Sequence, residues 1–168
     1  MPPPNLPEER RGKVNEKFQF SMKYKCLKIV KFIVVHCTAT RCNKPFSVER
    51  LIACGEEKFG QCSYHYYVRL DGSVIPLLPE SLQGVHAAGY NSCSLGIVYE
   101  GGLDEEGRPA DTRTEAQKHA LYELLKSLAK DYPDARILGH RELPDVHKDC
   151  PCFDASQEYA ALQPPTYG

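Results

Sequence analysis

The sequence predicts an α/β (α+β) fold: a single domain with a mixed central β-sheet flanked by helices. Three observations lead there. The 168 residues suit one hydrophobic core and would be cramped as two domains. Short β-branched segments mix with helix-period segments along the chain, which joins strands through long, helix-bearing connections. A single tight-turn signal, Asp71-Gly72, adds one hairpin among them, so the sheet is expected to be mixed in direction. A hydrophobic share of 42% against 26% charged residues is that of a folded domain and too apolar for a disordered chain.

Residues 1–25 are rich in proline and charge and show no sustained helical period. They read as an N-terminal arm with a short edge strand at 18–22. The domain proper is expected over 26–163, with a tail over 164–168. Residues 28–36 are β-branched and nearly continuously apolar from Phe32, the pattern of a strand buried on both faces, with His36 at its carboxyl end. Ser47 caps a helix that runs to about Phe59 and stops at Gly60. Residues 64–70 and 73–77 flank Asp71-Gly72, a pair that supplies the positive φ angles of a tight turn, and Pro76 pushes the second arm to a sheet edge. Residues 94–99 form another strand, followed by a polar loop over 101–111. Thr114 and Gln117 form a capping box, and Ala116, Ala120, Leu121, Leu124, Leu125 and Leu128 repeat at helical spacing. Pro133 closes that helix, and residues 135–139 form a short strand that delivers His140.

Charge and composition exclude several functions. A net charge of -1 lacks the basic face that phosphate neutralisation needs, so no nucleic-acid partner is expected. The longest apolar run, residues 32–35, is far short of the roughly 18 residues of a membrane span. The first residues lack the apolar core of a secretory signal, so the chain is expected to be cytoplasmic as synthesised, and a monomer. The eight cysteines are scattered except for Cys150 and Cys152. Without paired Cys-x-x-Cys knuckles, a structural zinc finger or ribbon is disfavoured.

In open sheets of this kind, ligands gather beyond the carboxyl ends of strands. His36 and His140 both lie at such ends. With Cys150 they offer two imidazoles and a thiolate, and a catalytic zinc takes about three such ligands and lowers the pKa of bound water to about 7. Spacing alone does not separate this from histidines held in structural hydrogen bonds. A zinc deaminase signature, His-x-Glu followed by Pro-Cys-x-x-Cys, is approached by His140-Arg141-Glu142 and Pro151-Cys152, but fails at Ala155, where a second cysteine must stand. Cys37 follows His36 in a strand, so it faces away and reads as core; His65 alternates away from Tyr64 in the same way. His119 and His147 read as solvated, Cys152 as an inert small side chain, and Tyr66, Tyr67 and Tyr90 as core aromatics. Glu142 either orients a ligand from behind or pairs with Arg141.

Five short motifs follow in a fixed order. His36-Cys37-Thr38-Ala39-Thr40 ends a strand, and Tyr64-His65-Tyr66 opens the next. His86-Ala87-Ala88-Gly89-Tyr90-Asn91 precedes Ser94-Leu95-Gly96-Ile97. Gly139-His140-Arg141-Glu142 comes next, then Lys148-Asp149-Cys150-Pro151 with Phe153-Asp154 behind it. In this order they resemble the type 2 N-acetylmuramoyl-L-alanine amidases, a zinc family that includes phage lysozyme-type amidases and animal peptidoglycan recognition proteins. The resemblance covers residues 28–154.

It implies a peptidoglycan recognition protein-like fold and one Zn2+ per chain. It also implies hydrolysis of the amide between the lactyl group of N-acetylmuramic acid and the L-alanine of the stem peptide. His36, His140 and Cys150 match the family's zinc ligands, and Tyr64 and Lys148 its two catalytic side chains. His86 and Asn91 fall in the loop that contacts the muramyl-peptide in relatives. The implied partner is peptidoglycan or a soluble muropeptide, met in the cell wall, the periplasm or outside the cell. Some relatives bind peptidoglycan without cutting it, usually after replacing a zinc ligand, so a non-catalytic binding module is the alternative. Cys150, Tyr64 and Lys148 are all present here, which favours catalysis. With Cys150 assigned to metal, seven cysteines remain, an odd number that cannot all pair within the chain.

Overall fold

The structure is a computed structural model that describes residues 23–166. The arm expected over 1–25 lies outside these residues except for its last three, and the strand expected at 18–22 lies wholly outside them. The elements are β1 (Phe32–Cys37), β2 (Thr40–Arg41), α1 (Val48–Phe59), β3 (Tyr66–Val68), β4 (Val74–Pro76), β5 (Ser94–Tyr99), β6 (Gly102–Leu103), α2 (Glu115–Asp131), β7 (Arg136–Gly139) and α3 (Ala155–Glu158). The main sheet has the order β4-β3-β5-β1-β7, and β2 pairs with β6 in a small separate sheet. Strands β3, β5, β1 and β7 are parallel, and β4 alone runs antiparallel to β3. The expected mixed sheet flanked by helices is therefore present.

Both long helices begin and end where local chemistry places them. The Ser47 side chain accepts from the Arg50 amide at 3.1 Å, and α1 stops at Gly60. Thr114 and Gln117 cap α2 reciprocally, at 2.9 and 3.0 Å. The α2 stripe Leu121, Leu124, Leu125 and Leu128 packs on Ile33, Val35, Leu95, Ile97 and Ile137 of the sheet. Burial of each such side chain contributes about 1.5–3 kcal/mol. The opposite face meets α1, through Leu51 against Tyr67 and Val98, and Tyr24 packs into the same cluster.

The hairpin strands are shorter than the expected 64–70 and 73–77, since only Tyr66–Val68 and Val74–Pro76 pair, and Gly102–Leu103 in the expected loop pairs with β2. Further details differ from the sequence expectation. Strand β1 starts at Phe32 rather than at residue 28, because its parallel partners begin there: Phe32 faces Ser94 on one side and Arg136 on the other. At the hairpin only Gly72 takes a positive φ, 84°. Asp71 instead accepts the Ser73 amide at 2.9 Å, and the Arg69 amide donates to the Ser73 carbonyl at 2.9 Å. This is a glycine-bulged turn rather than a two-residue one. On α2, Ala116 is exposed while Gln117 is buried. The glutamine amide donates to the Glu100 carbonyl at 2.8 Å, and at 3.3 Å to the Val68 carbonyl, which also accepts the Glu100 amide, so it ties the ends of β5 and β3 to α2. Among the described residues no helix is long and apolar enough to cross a membrane.

Candidate active site

Strands β1 and β7 lie side by side with Val35 opposite Gly139. The residues that follow, His36 and His140, therefore emerge together at one end of the sheet, with ring centroids 4.6 Å apart. Cys150 arrives from the loop after β7, and its Sγ lies 3.9 Å from His36 Nδ1. One ligand atom from each of the three residues falls within 4.8 Å of the others. The loop is fixed by several bonds. The Arg141 amide donates to the Cys150 carbonyl at 2.9 Å, and the Tyr99 hydroxyl donates to the Pro151 carbonyl at 2.6 Å. Behind it, the buried Arg113 guanidinium stacks 3.4 Å from the Phe153 ring and pairs with Asp111 and Glu158.

The electrostatics favour metal-ready protonation states. Burial, then the neighbouring His86, His140 and Lys148, push the His36 pKa well below its ordinary value. Burial and Lys148 lower His140 as well. The Cys37 side chain, hydrogen-bonded to Cys150, lowers the Cys150 pKa, and the Cys37 amide adds a second bond to the sulfur at 3.3 Å. Cys37 itself is pushed up by that same bond and by burial, so it stays a thiol and donates. Two neutral imidazoles and one thiolate-prone sulfur are a donor set that fits zinc.

Tyr64 stands just before β3 with its ring 5.2 Å from that of His36. Burial raises its pKa, so its hydroxyl remains a donor. Lys148 is exposed, and its ammonium acts on both imidazoles. His86 is buried, with Nδ1 2.9 Å from His36 Nε2. The Asn91 side chain accepts the amides of His86 and Ala87 at 3.0 and 2.9 Å. Beyond Tyr64 lies a cleft of about 240 Å³ walled by Thr38, Phe46, Lys58 and Phe59.

Other residues fall out differently from expectation or were not legible. Cys37 is in the core as expected, yet it touches Cys150, because the Cys150 loop wraps the end of β1 and meets both its faces. Glu142 neither backs a ligand side chain nor pairs with Arg141: it accepts the Gly139 and Ser156 amides at 3.0 and 3.1 Å, tying the turn of His140 to α3. Arg141 pairs with Asp154 instead. Cys152 aims its sulfur at the Gly102 carbonyl, 3.4 Å away, and all eight cysteines are free thiols. His119 and His147 are exposed, and Tyr66 and Tyr67 are core. Arg113 carries no signal in the sequence, and Ser94 stands there only as the head of a strand motif, since only the fold brings the two behind the site.

His65 is fully buried: its Nδ1 accepts the Gly96 amide at 3.0 Å and its Nε2 donates to the Leu82 carbonyl at 2.7 Å. Burial lowers its pKa to about 4, against about 6.5 in an unfolded chain. A depressed histidine pKa contributes stability that is fully present above the unfolded value and is lost as pH falls toward the folded one. In urea titrations of metal-free protein, stability is therefore expected to drop by about 1.2 kcal/mol between pH 6 and 5 from His65 alone. A flat urea midpoint across that window contradicts a neutral buried His65.

Two imidazoles and a cysteine at the carboxyl end of a largely parallel sheet, with a phenol and an ammonium beside them, have the layout of a hydrolase whose site can hold a metal ion. Comparison with known proteins gives the same class. The sequence profile of the N-acetylmuramoyl-L-alanine amidase family matches residues 27–153. The endolysin of Enterobacteria phage K11 is 36% identical over 121 residues, covering 71% of this chain and 79% of that protein. The endolysin of Escherichia phage T7 is 34% identical over 123 residues, covering 73% and 80%. Among solved structures, the Ph2119 endolysin from a Thermus scotoductus bacteriophage superposes with a TM-score of 0.72 at 25% identity, covering 90% of this chain and 97% of that one. PGRP-SA of Apis mellifera, at 18% identity and a TM-score of 0.65, shares the fold. The chain belongs to the N-acetylmuramoyl-L-alanine amidase family, and is an amidase that degrades cell-wall peptidoglycan.

Proposed function

We propose that the chain is a zinc-dependent N-acetylmuramoyl-L-alanine amidase in which His36, His140 and Cys150 hold one Zn2+ and Tyr64 and Lys148 act on the substrate. It cuts the amide between the lactyl group of N-acetylmuramic acid and the L-alanine of the stem peptide. The observation that carries this reading is the convergence of three ligand atoms within 4.8 Å from segments more than a hundred residues apart in sequence. When bound, zinc supplies Lewis-acid polarisation of a carbonyl and lowers the pKa of a water to about 7.

The chain's own groups do the rest. The Lys148 ammonium, exposed and near enough to depress both imidazoles, donates to the lactyl oxygen as negative charge develops on it. The protonated Tyr64 hydroxyl donates as well and orients the attacking water or the oxyanion. The cleft beyond Tyr64 takes part of the sugar or peptide, with Lys58 at its rim. The catalytic unit spans 26–163, with 1–25 as an arm. Retention of Cys150, Tyr64 and Lys148 together supports catalysis over binding alone.

The test is to incubate zinc-loaded protein with defined muropeptides and weigh the products by mass spectrometry. Free stem peptide beside intact sugar is expected, with loss of the reaction on chelation and its return on adding zinc. Cleavage inside the glycan or the stem, or full activity in metal-free protein, overturns the proposal.

A further inference from the structure

His86 is more deeply engaged with the protein than a substrate-binding residue in a cleft needs to be. Its Nδ1 lies 2.9 Å from His36 Nε2, and its Nε2 lies 3.3 Å from the Ser94 hydroxyl. The Ser94 hydroxyl in turn donates to the Tyr90 carbonyl at 2.7 Å. Ser94 is wholly buried, and His36 and His86 nearly so. Both ring nitrogens of His86 are therefore committed inside the protein.

The directions of these bonds follow from the far end. A carbonyl oxygen only accepts, so Ser94 spends its one proton on Tyr90 and its oxygen is left as an acceptor. That oxygen takes the proton of His86 Nε2, which leaves His86 Nδ1 with a lone pair. The lone pair takes the proton of His36 Nε2. His36 is then fixed with its bare nitrogen at Nδ1, the atom that faces the Cys150 sulfur at 3.9 Å. A residue that cannot reverse, a backbone carbonyl, thus sets the tautomer of a ring two side chains away.

The ring of His86 is also held in place. A Cβ on Gly96 would lie 2.7 Å from His86 Cγ, so the imidazole rests flat on a backbone that only glycine leaves bare. Asn91 clamps the His86 amide from the other side, at 3.0 Å.

We propose that His86 is a positioning residue: through the relay Tyr90 carbonyl, Ser94, His86, it fixes the tautomer and ring orientation of His36 so that Nδ1 faces the metal. Asn91 serves the same end by holding the His86 backbone. The inference rests on the zinc reading above. Histidines on zinc characteristically donate their other N–H to such a partner, and loss of the partner lowers metal affinity by about 10- to 100-fold.

The test compares wild type, His86→Phe, His86→Gln and Ser94→Ala by competition of a chromophoric chelator for zinc. Long-range nitrogen-proton NMR of the zinc-loaded proteins reads the tautomers. In wild type, His36 is expected to carry its proton on Nε2, as a slowly exchanging, strongly downfield signal. His86→Phe is expected to bind zinc about 10- to 100-fold more weakly and lose that signal. His86→Gln, which offers an oxygen acceptor and an N–H, should recover part of the affinity. Ser94→Ala touches none of the three ligands, so it carries the test even if His86→Phe fails to fold; it should broaden the His36 signal and weaken zinc in the same sense. A proton on His36 Nδ1, or folded variants that bind zinc like wild type, overturns the positioning role alone. Wild-type protein that binds no zinc overturns the zinc reading and this role with it.

Discussion

Cys150→Ser is expected to lose zinc on dialysis and to lose amidase turnover by more than about 10³-fold, while folding normally. A serine hydroxyl stays protonated at neutral pH and is a poor partner for an ion that binds thiolate at about 2.3 Å. With the metal gone, the attacking water returns from a pKa of about 7 toward 15.7. The site around the substitution asks for a thiolate, since the Cys37 thiol and amide both point at the sulfur. A hydroxyl accepts those bonds too, so the core contact survives and the defect falls on the metal. Zinc content by atomic absorption, circular dichroism and muropeptide turnover separate the effects. Retention of one zinc with wild-type turnover excludes Cys150 as a ligand.

Lys148→Ala is the complementary case, with zinc kept and chemistry lost. The side chain is exposed, so its removal is expected to change stability by no more than about 0.5 kcal/mol. The cost appears in kcat, about 10²- to 10³-fold, the usual loss of one donor to a developing oxyanion. A second signature follows from its charge. The ammonium lowers the pKa of both His36 and His140, so without it protons compete better for the two imidazoles. Zinc is then released at a higher pH on acid titration than in wild type. Unchanged kcat in folded, zinc-loaded Lys148→Ala removes the residue from the mechanism.

These two residues also show how unevenly the sequence speaks. Helices α1 and α2 are legible because their boundaries rest on local contacts: Ser47 to Arg50 and Thr114 to Gln117 are three residues apart. The strands are legible as apolar runs, but their lengths and partners are not. Where β1 begins depends on Ser94 and Arg136, far along the chain. The bulged turn at Gly72 escapes a rule built on two residues, because the deciding bond runs from Asp71 to the Ser73 amide. His36, His140 and Cys150 were found from their order in a family pattern and from strand ends. Nothing in their spacing reveals that three ligand atoms meet within 4.8 Å.

The sequence alone therefore determined the fold class and the two capped helices, because patterning acts locally, and its motifs pointed to three residues, His36, His140 and Cys150, that could hold a metal. Only the tertiary structure decided that their ligand atoms meet and what stands behind them. Parallel pairing places His36 beside His140, a wrapping loop brings Cys37 against Cys150, and a strand's first residue, Ser94, ends under His86. Tautomers and thiolates are fixed by such neighbours, and neighbours across a sheet are set by pairing and packing that no stretch of sequence contains.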